Sequence, residues 1–324
     1  MTDLSVEVAG LKLKNPLIIG SCSYTESVES IKKLEEAGAG AVVLKSLFQE
    51  QIMNDAYDTM GEIGSTFAHP ELNDYVRYFE EKNAVGNYLD LIVQAKAAVK
   101  IPVIASINCA SFDKWVEFSS EIEKAGADGL EINLYYLPSD PAVTDHTYVS
   151  TALKIAAELK KHLKIPFSFK LGYYSDTLAK DLLTISRTDA KALVLFNKPF
   201  NPDIDIENEK MISGYPYSAP SEISNSLRWI AIMSDFAETD LIATTGVHNG
   251  QDIVKQILAG AKAVQMTSSL YLNSFNVIGR SLNELRSWME KHNYKELSAF
   301  RGKLSRKDNA IYDRVQFLRR GKGE

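Results

Sequence analysis

The sequence predicts an α/β protein, a closed (β/α)8 TIM barrel with an N-terminal β-hairpin and long loops over its C-terminal mouth. Three observations carry the prediction. Eight short apolar runs alternate with helical segments, at residues 17–21, 41–45, 102–108, 130–133, 167–170, 193–197, 241–246 and 263–268, and fully buried parallel strands read as such continuous runs. Three helix-to-strand junctions repeat one signature, Ala37-Gly38-Ala39, Ala125-Gly126-Ala127 and Ala259-Gly260-Ala261, in which a glycine ends the helix and small neighbours let the next strand start at once. Nearly every run ends on a polar residue, and the C-terminal mouth of such a barrel is where chemistry is assembled.

In chain order, residues 6–13 form two alternating stretches about Gly10 and read as a hairpin capping the barrel's N-terminal end. The first strand run closes on Gly20 and Ser21, the second on Lys45 with Ser46 behind it, and the third on Asn108. The fourth ends on Asn133, the fifth on Lys170, the sixth on Asn197, the seventh on Thr245 and Gly246, and the eighth on Thr267 and Ser268. A long connection from Phe48 to about Leu89, rich in polar and turn residues, is expected to cover or line the site. A second, from Asn201 to Pro220, is expected to overhang the mouth after the sixth strand. The whole chain, 1–324, is expected to fold as one domain, since a barrel with modest insertions fills this length.

Composition narrows the function. A net charge of -6 with a pI near 5.6 argues against a nucleic-acid surface, which needs clustered cations. No run approaches the roughly 20 apolar residues of a membrane span, and Met1-Thr2-Asp3-Leu4-Ser5 is no secretory signal. A small-molecule partner, a cytoplasmic location and no membrane are therefore expected. Cys22 and Cys109 are too few for a four-thiolate cluster and read as reduced thiols. His69, His146, His162, His248 and His292 show no metal-ligand spacing, so no metal is expected; His248 lies nearest the chemistry.

Strand alternation allows Lys45 and Lys170 to point into the mouth, and a buried ammonium is costly without an anion or electron-rich partner. Asn108, Asn133 and Asn197 each donate and accept hydrogen bonds, which suits a planar heterocycle. Thr245-Gly246-Val247-His248-Asn249-Gly250 and Met266-Thr267-Ser268 place small and hydroxyl residues ahead of helix N-termini, the phosphate pocket common in these barrels. Neither a Rossmann glycine fingerprint nor a P-loop is present.

On these residues the chain resembles the dihydroorotate dehydrogenase family and the related flavin domain of dihydropyrimidine dehydrogenase. The resemblance is carried by Ile101-Pro102-Val103-Ile104-Ala105-Ser106-Ile107-Asn108-Cys109, by Trp115, and by residues 125–134 through Glu131-Ile132-Asn133-Leu134. It continues in Lys45-Ser46, Phe169-Lys170-Leu171, residues 246–250, residues 258–261 with Val264-Gln265, and Phe300-Arg301-Gly302-Lys303-Leu304, the last similar to the cytosolic class 1A branch. It implies FMN at the mouth, with Lys45 and Ser46 near the flavin, Asn133 at flavin and substrate, and Lys170 near the flavin N1 side, where a cation stabilises the reduced ring. It also implies a homodimer.

One departure bears on the chemistry. The family carries Asn-Leu-Ser-Cys-Pro after the fourth strand, with the cysteine, or a serine in the membrane-bound class, as the base. This chain has Asn133-Leu134-Tyr135-Tyr136-Leu137-Pro138, which places Tyr136 at the base position. A phenol of ordinary pKa near 10 is a poor base at neutral pH but a competent proton donor. The family's paired glycines after the seventh strand appear as Thr245-Gly246, its Gly-Thr after the eighth as Thr267-Ser268, and its Leu-Ser-Gly after the sixth as Tyr217-Ser218-Ala219; its asparagine-rich substrate loop is not recognisable. The leading expectation is an FMN-dependent oxidoreductase acting on a CH–CH or C=C bond of a small pyrimidine-like substrate, with Tyr136, Lys45 and Lys170 as the catalytic residues. The alternatives are an ene-reductase-type enzyme with Tyr136 as proton donor, a Schiff-base lyase using Lys170 or Lys45, and a noncatalytic FMN-binding paralogue.

Overall fold

A computed structural model describes residues 2–48, 70–108, 112–135, 137–139, 147–308 and 310–313. The chain begins with β1 (Val6–Val8) and β2 (Leu11–Leu13), paired antiparallel across Ala9 and Gly10. Both turn residues have positive φ, +53° and +75°, the conformation of a tight two-residue hairpin turn. There follow β3 (Leu17–Ile19), α1 (Val28–Glu36), β4 (Ala41–Val43), the two-residue β5 (Leu47–Phe48), α2 (Pro70–Ala98), β6 (Val103–Asn108), α3 (Phe112–Lys124), β7 (Gly129–Leu134), α4 (Thr147–His162) and β8 (Phe167–Leu171). The second half comprises α5 (Leu178–Ser186), β9 (Ala192–Leu195), β10 (Pro202–Asp205), β11 (Lys210–Ser213), α6 (Ile223–Met233), β12 (Asp240–Ala243), α7 (Gly250–Ala259), β13 (Ala263–Met266), α8 (Ser268–Asn273) and α9 (Asn276–Lys291).

Eight of these strands, β3, β4, β6, β7, β8, β9, β12 and β13, pair in parallel around a closed ring, as the sequence predicts. The glycines of the three Ala-Gly-Ala junctions take φ of +111°, +94° and +128°, the geometry that turns each helix end into the next strand. Inside the ring, Ile18, Ala41, Val43, Ile104, Ala192, Val194, Ile242 and Ala263 pack in one cluster with Val8 and Leu13 of the hairpin. The hairpin is thus a plug in the base, tied to the ring by Ala9 N donating to Asp240 Oδ2 at 2.9 Å. A larger apolar cluster joins the outer strand faces to the helices, at about 1.5–3 kcal/mol for each fully buried large aliphatic side chain. Nearer the mouth the interior turns polar, with Ser106, Glu131, Gln265, Asn133 and Lys170 all buried.

One expected loop differs from the expectation, and the other adds a hairpin to it. Of the connection from Phe48 to about Leu89, residues 49–69 lie outside the described residues, and the remainder is helical within α2 rather than irregular. Its buried Tyr88, Ile92 and Ala95, with Val99 just past its end, recur at helical spacing against the barrel. The connection after β9 carries the exposed β10–β11 hairpin before turning back over the mouth. Among the described residues no helix is long and apolar enough to cross a membrane.

Candidate functional site

Alternation along each strand decides what faces inward. Lys170 on β8 lies beside Asn133 on β7, in register. Its ammonium donates to Gln265 Oε1 at 3.1 Å and stands 3.6 Å from Glu131 Oε1. Gln265 in turn donates to Glu131 Oε2. Asn197 Nδ2 donates to Asn133 Oδ1 at 3.1 Å, so two of the three predicted asparagines form one amide pair.

Above this floor lies a cavity of about 150 Å³, bordered by Ser21, Lys170, Asn197, Thr245, Gly246, Thr267 and Ser268 of the predicted set. A neighbouring cavity of about 340 Å³ shares Asn197, Thr244 and Thr245 with it and adds Tyr173, Phe196 and Glu222. Gly20 sits against Thr267, where a Cβ would come 2.6 Å from Thr267 Oγ1. Gly246 takes φ +79° and its N–H donates to Ser218 Oγ at 3.3 Å, while Ser218 N donates to Ser268 Oγ at 2.8 Å. Residues 216–218 therefore do overhang the mouth. Thr245 holds φ +71° despite its Cβ, with Oγ1 donating to Phe196 O at 2.8 Å. Just beyond, the first amides of α7 are already taken, His248 N by Asp252 Oδ2 at 3.0 Å, Gly250 N by Glu284 Oε2 at 2.7 Å and Asp252 N by Asn249 Oδ1 at 3.0 Å. His248 is buried beside this loop through its own backbone, and its ring borders neither cavity.

Ser46 stands behind the cavity. It joins Ser21 Oγ at 3.1 Å and Ser106 Oγ at 2.7 Å, and its N–H donates to Ser21 Oγ at 2.8 Å. The buried Tyr88 of α2 completes the chain, accepting from Ser106 N at 2.7 Å and donating to Ser106 O at 3.0 Å. Burial pushes its phenol well above the ordinary value of 10.0. Tyr88→Phe is expected to cost about 2 kcal/mol by leaving those backbone groups unpaired. Because the folded pKa is raised, the hydroxyl's contribution is complete below pH 10 and is lost as pH rises further. The stability gap between wild type and variant in urea denaturation should accordingly shrink from pH 9 to pH 11.

Lys45 is a correction. The expectation of two lysines buried in the mouth holds for Lys170 alone, because β4 ends at Val43 and strand alternation no longer governs position 45. The Lys45 side chain is 41% exposed at the rim and pairs with Glu26 at 3.1 Å. Asn108 ends β6 in register with Phe48 and borders neither cavity. Tyr136 and Cys109 lie outside the described residues. Cys22 is a free, buried thiol, as expected. The described residues hold no cluster of metal-ligating side chains.

Sequence reasoning missed Lys198, which borders the 150 Å³ cavity and donates to Glu222 Oε1 at 3.0 Å. It also gave no role to Glu131 or Gln265, although each is a polar residue inside an apolar strand run, a legible signal. Ser218 was legible only through the resemblance, as the middle residue of Tyr217-Ser218-Ala219. At the ends of β7 and β8, Tyr173 and Tyr174 lie 4.8 Å apart and Tyr135 and Tyr174 6.1 Å apart, centroid to centroid. Burial first, and tyrosine neighbours second, push the phenols of Tyr135 and Tyr173 upward, so both remain protonated at neutral pH.

The dihydroorotate dehydrogenase family model matches residues 3–289. The catalytic subunit of dihydroorotate dehydrogenase B (NAD(+)) from Thermoplasma volcanium is 26% identical over 93% of this chain and 98% of its own. The corresponding subunit from Pyrococcus furiosus is 23% identical over 92% of this chain and 98% of its own. Chloroplastic dihydropyrimidine dehydrogenase (NADP(+)) of Arabidopsis thaliana is 25% identical over 93% of this chain and 76% of its own. A cation in the floor, close-packed Gly20 and Gly246, and the hydroxyls of Thr267 and Ser268 at the rim fit a flavin's ring and its polar tail. With most of its length matched, the chain belongs to the dihydroorotate dehydrogenase family, flavin-dependent oxidoreductases of the CH–CH group.

Proposed function

We propose that the protein is an FMN-dependent oxidoreductase acting on a CH–CH or C=C bond of a small pyrimidine-like substrate. The observation that carries this reading is the Lys170 ammonium, fixed beneath the cavity by Glu131 and Gln265 and flanked by the Asn133–Asn197 amide pair. FMN, when bound, supplies the two-electron redox chemistry. In this reading Lys170 stabilises charge in the reduced ring, and Thr267, Ser268 and the backbone at Gly246 hold the phosphate. Ser21 and Ser46 shape the wall, with Gly20 leaving room beside Thr267. The Asn133–Asn197 pair offers donors and acceptors to a heterocycle edge, and the relatives' names place dihydroorotate and dihydropyrimidines among their substrates. Lys45 and Asn108, at the rim, are assigned to the same site by resemblance alone. A lysine held by a carboxylate and an amide oxygen serves as a resident cation, which favours this reading over a Schiff-base lyase.

Tyr136 is the proton carrier of the proposal. A phenol of ordinary pKa near 10 donates rather than abstracts at neutral pH. The purified protein is expected to be yellow and to sediment as a homodimer; the apolar Ile204, Ile206, Met211 and Ile212 exposed on the β10–β11 hairpin offer a surface to a second copy. Bleaching by anaerobic dihydroorotate would assign the substrate, whereas a yellow protein left unbleached keeps the flavin and discards dihydroorotate. A colourless protein unable to take up FMN overturns the proposal. Tyr136→Phe is expected to slow reoxidation of the reduced protein by a uracil-like or enone acceptor, and unchanged reoxidation removes Tyr136 from the reaction.

A further inference from the structure

Beneath Lys170 the barrel buries a negative charge for which the proposed chemistry has no use. Glu131 is 1% exposed, between Leu130 and Ile132 on β7. Its Oε2 accepts from Gln265; its Oε1 makes no hydrogen bond among the described residues and lies 3.6 Å from Lys170 Nζ. Gln265 closes the triangle, its own Oε1 accepting from Lys170 at 3.1 Å. The amide has one sensible orientation: turned over, its NH2 would face an ammonium and its carbonyl a carboxylate, exchanging two attractions for two repulsions. Three side chains from β7, β8 and β13 thus bring cation, dipole and anion into one triangle inside the barrel. Gln265 and Lys170 border the mouth cavity, while Gln265 and Glu131 border a cavity of about 20 Å³ on the plug side.

A buried carboxylate is a poor choice for stability. Desolvation penalises each ion, and replacing both members of such a pair with well-packed apolar residues is often neutral or stabilising. Glutamine at position 131 would still offer a carbonyl to Lys170 or Gln265. What glutamine cannot supply is the charge.

We propose that Glu131 and Gln265 are positioning residues that set how much of the Lys170 charge a flavin in the mouth experiences. The inference rests on the flavin reading above. Gln265 fixes the ammonium at the floor, and Glu131 partly offsets it from the far side. Reduction adds negative charge to the ring, which Lys170 favours and the more distant Glu131 opposes. The pair therefore holds the flavin potential below the value an uncompensated lysine would give.

The test is the midpoint potential of the FMN-loaded protein, measured anaerobically against reference dyes, together with FMN affinity of the apoprotein. Glu131→Gln is expected to raise the preference for reduced over oxidised flavin about tenfold, which for a two-electron couple is an upward shift of about 30 mV. Glu131→Asp, which keeps the charge, should restore a potential near wild type. Folded, FMN-loaded E131Q with an unmoved potential overturns the proposal and leaves Glu131 a strut. Should E131Q not fold, Gln265→Met tests the same arrangement: without the amide that fixes the ammonium at the floor, Glu131 draws Lys170 away from the flavin, so a lowered potential supports the proposal and an unchanged one overturns it. A wild-type protein that takes up no FMN overturns the flavin reading and this inference together, an outcome distinct from a loaded protein whose potential ignores Glu131.

Discussion

Lys170→Met is expected to lower turnover about a hundredfold or more and to destabilise the fold by about 3–5 kcal/mol. The two losses have different origins. Turnover falls because the cation in the cavity floor is gone; stability falls because Glu131 is left charged inside the barrel with only Gln265 for company. The double variant Lys170→Met with Glu131→Gln separates them. It should recover most of the stability and none of the turnover, a strongly non-additive pair as expected for contacting residues. Urea denaturation and steady-state rates with the best acceptor give both numbers. A single K170M variant as stable as wild type would mean that the buried pair is not coupled as the geometry indicates.

Gly246→Ala is the second change of large expected effect. A Cβ there would lie 2.6 Å from Ile223 Cα and closer still to its amide nitrogen, and both are backbone atoms at the start of α6. The left-handed φ of +79° adds a steric penalty for any side chain, about 1–2 kcal/mol. Either α6 moves or the loop after β12 does, and the Gly246–Ser218–Ser268 hydrogen bonds depend on both staying. Loss of about 3 kcal/mol and a protein that comes off purification largely without flavin are the expected results, read by thermal denaturation and by the visible spectrum. Thr245→Gly, one residue earlier and also at positive φ, should be mild by comparison, because backbone relief there offsets the lost bond to Phe196 O.

The barrel was legible because its strands are buried on both faces, and such strands announce themselves as unbroken apolar runs closed by the polar residues of the mouth. Each Ala-Gly-Ala added punctuation that only a helix end followed at once by a strand requires. The α2 helix was harder. Asn83, Gly86 and Asn87 interrupt it with residues that local propensity assigns to turns, and the spacing of Tyr88, Ile92 and Ala95 that betrays the helix is confined to its last turns. The β10–β11 hairpin is exposed along its length, so no burial pattern marked it. Within the site, the strand-end residues were found by position. Lys45 departs from its expected place because the chain leaves the sheet two residues before it. Lys198 was overlooked because it follows Asn197 outside the strand, and its partner Glu222 comes from a segment 24 positions away.

The side chains packed inside the ring, with Val8 and Leu13 of the hairpin beneath them, close the base of the barrel and leave it a cup. A cup has one rim. Whatever arrives and whatever departs crosses the same loops, and a molecule already seated there delays the next until it has gone. Changes in the hairpin therefore act on the strength of the vessel, while changes in the loops after β9, β12 and β13 act on the order in which its contents come and go.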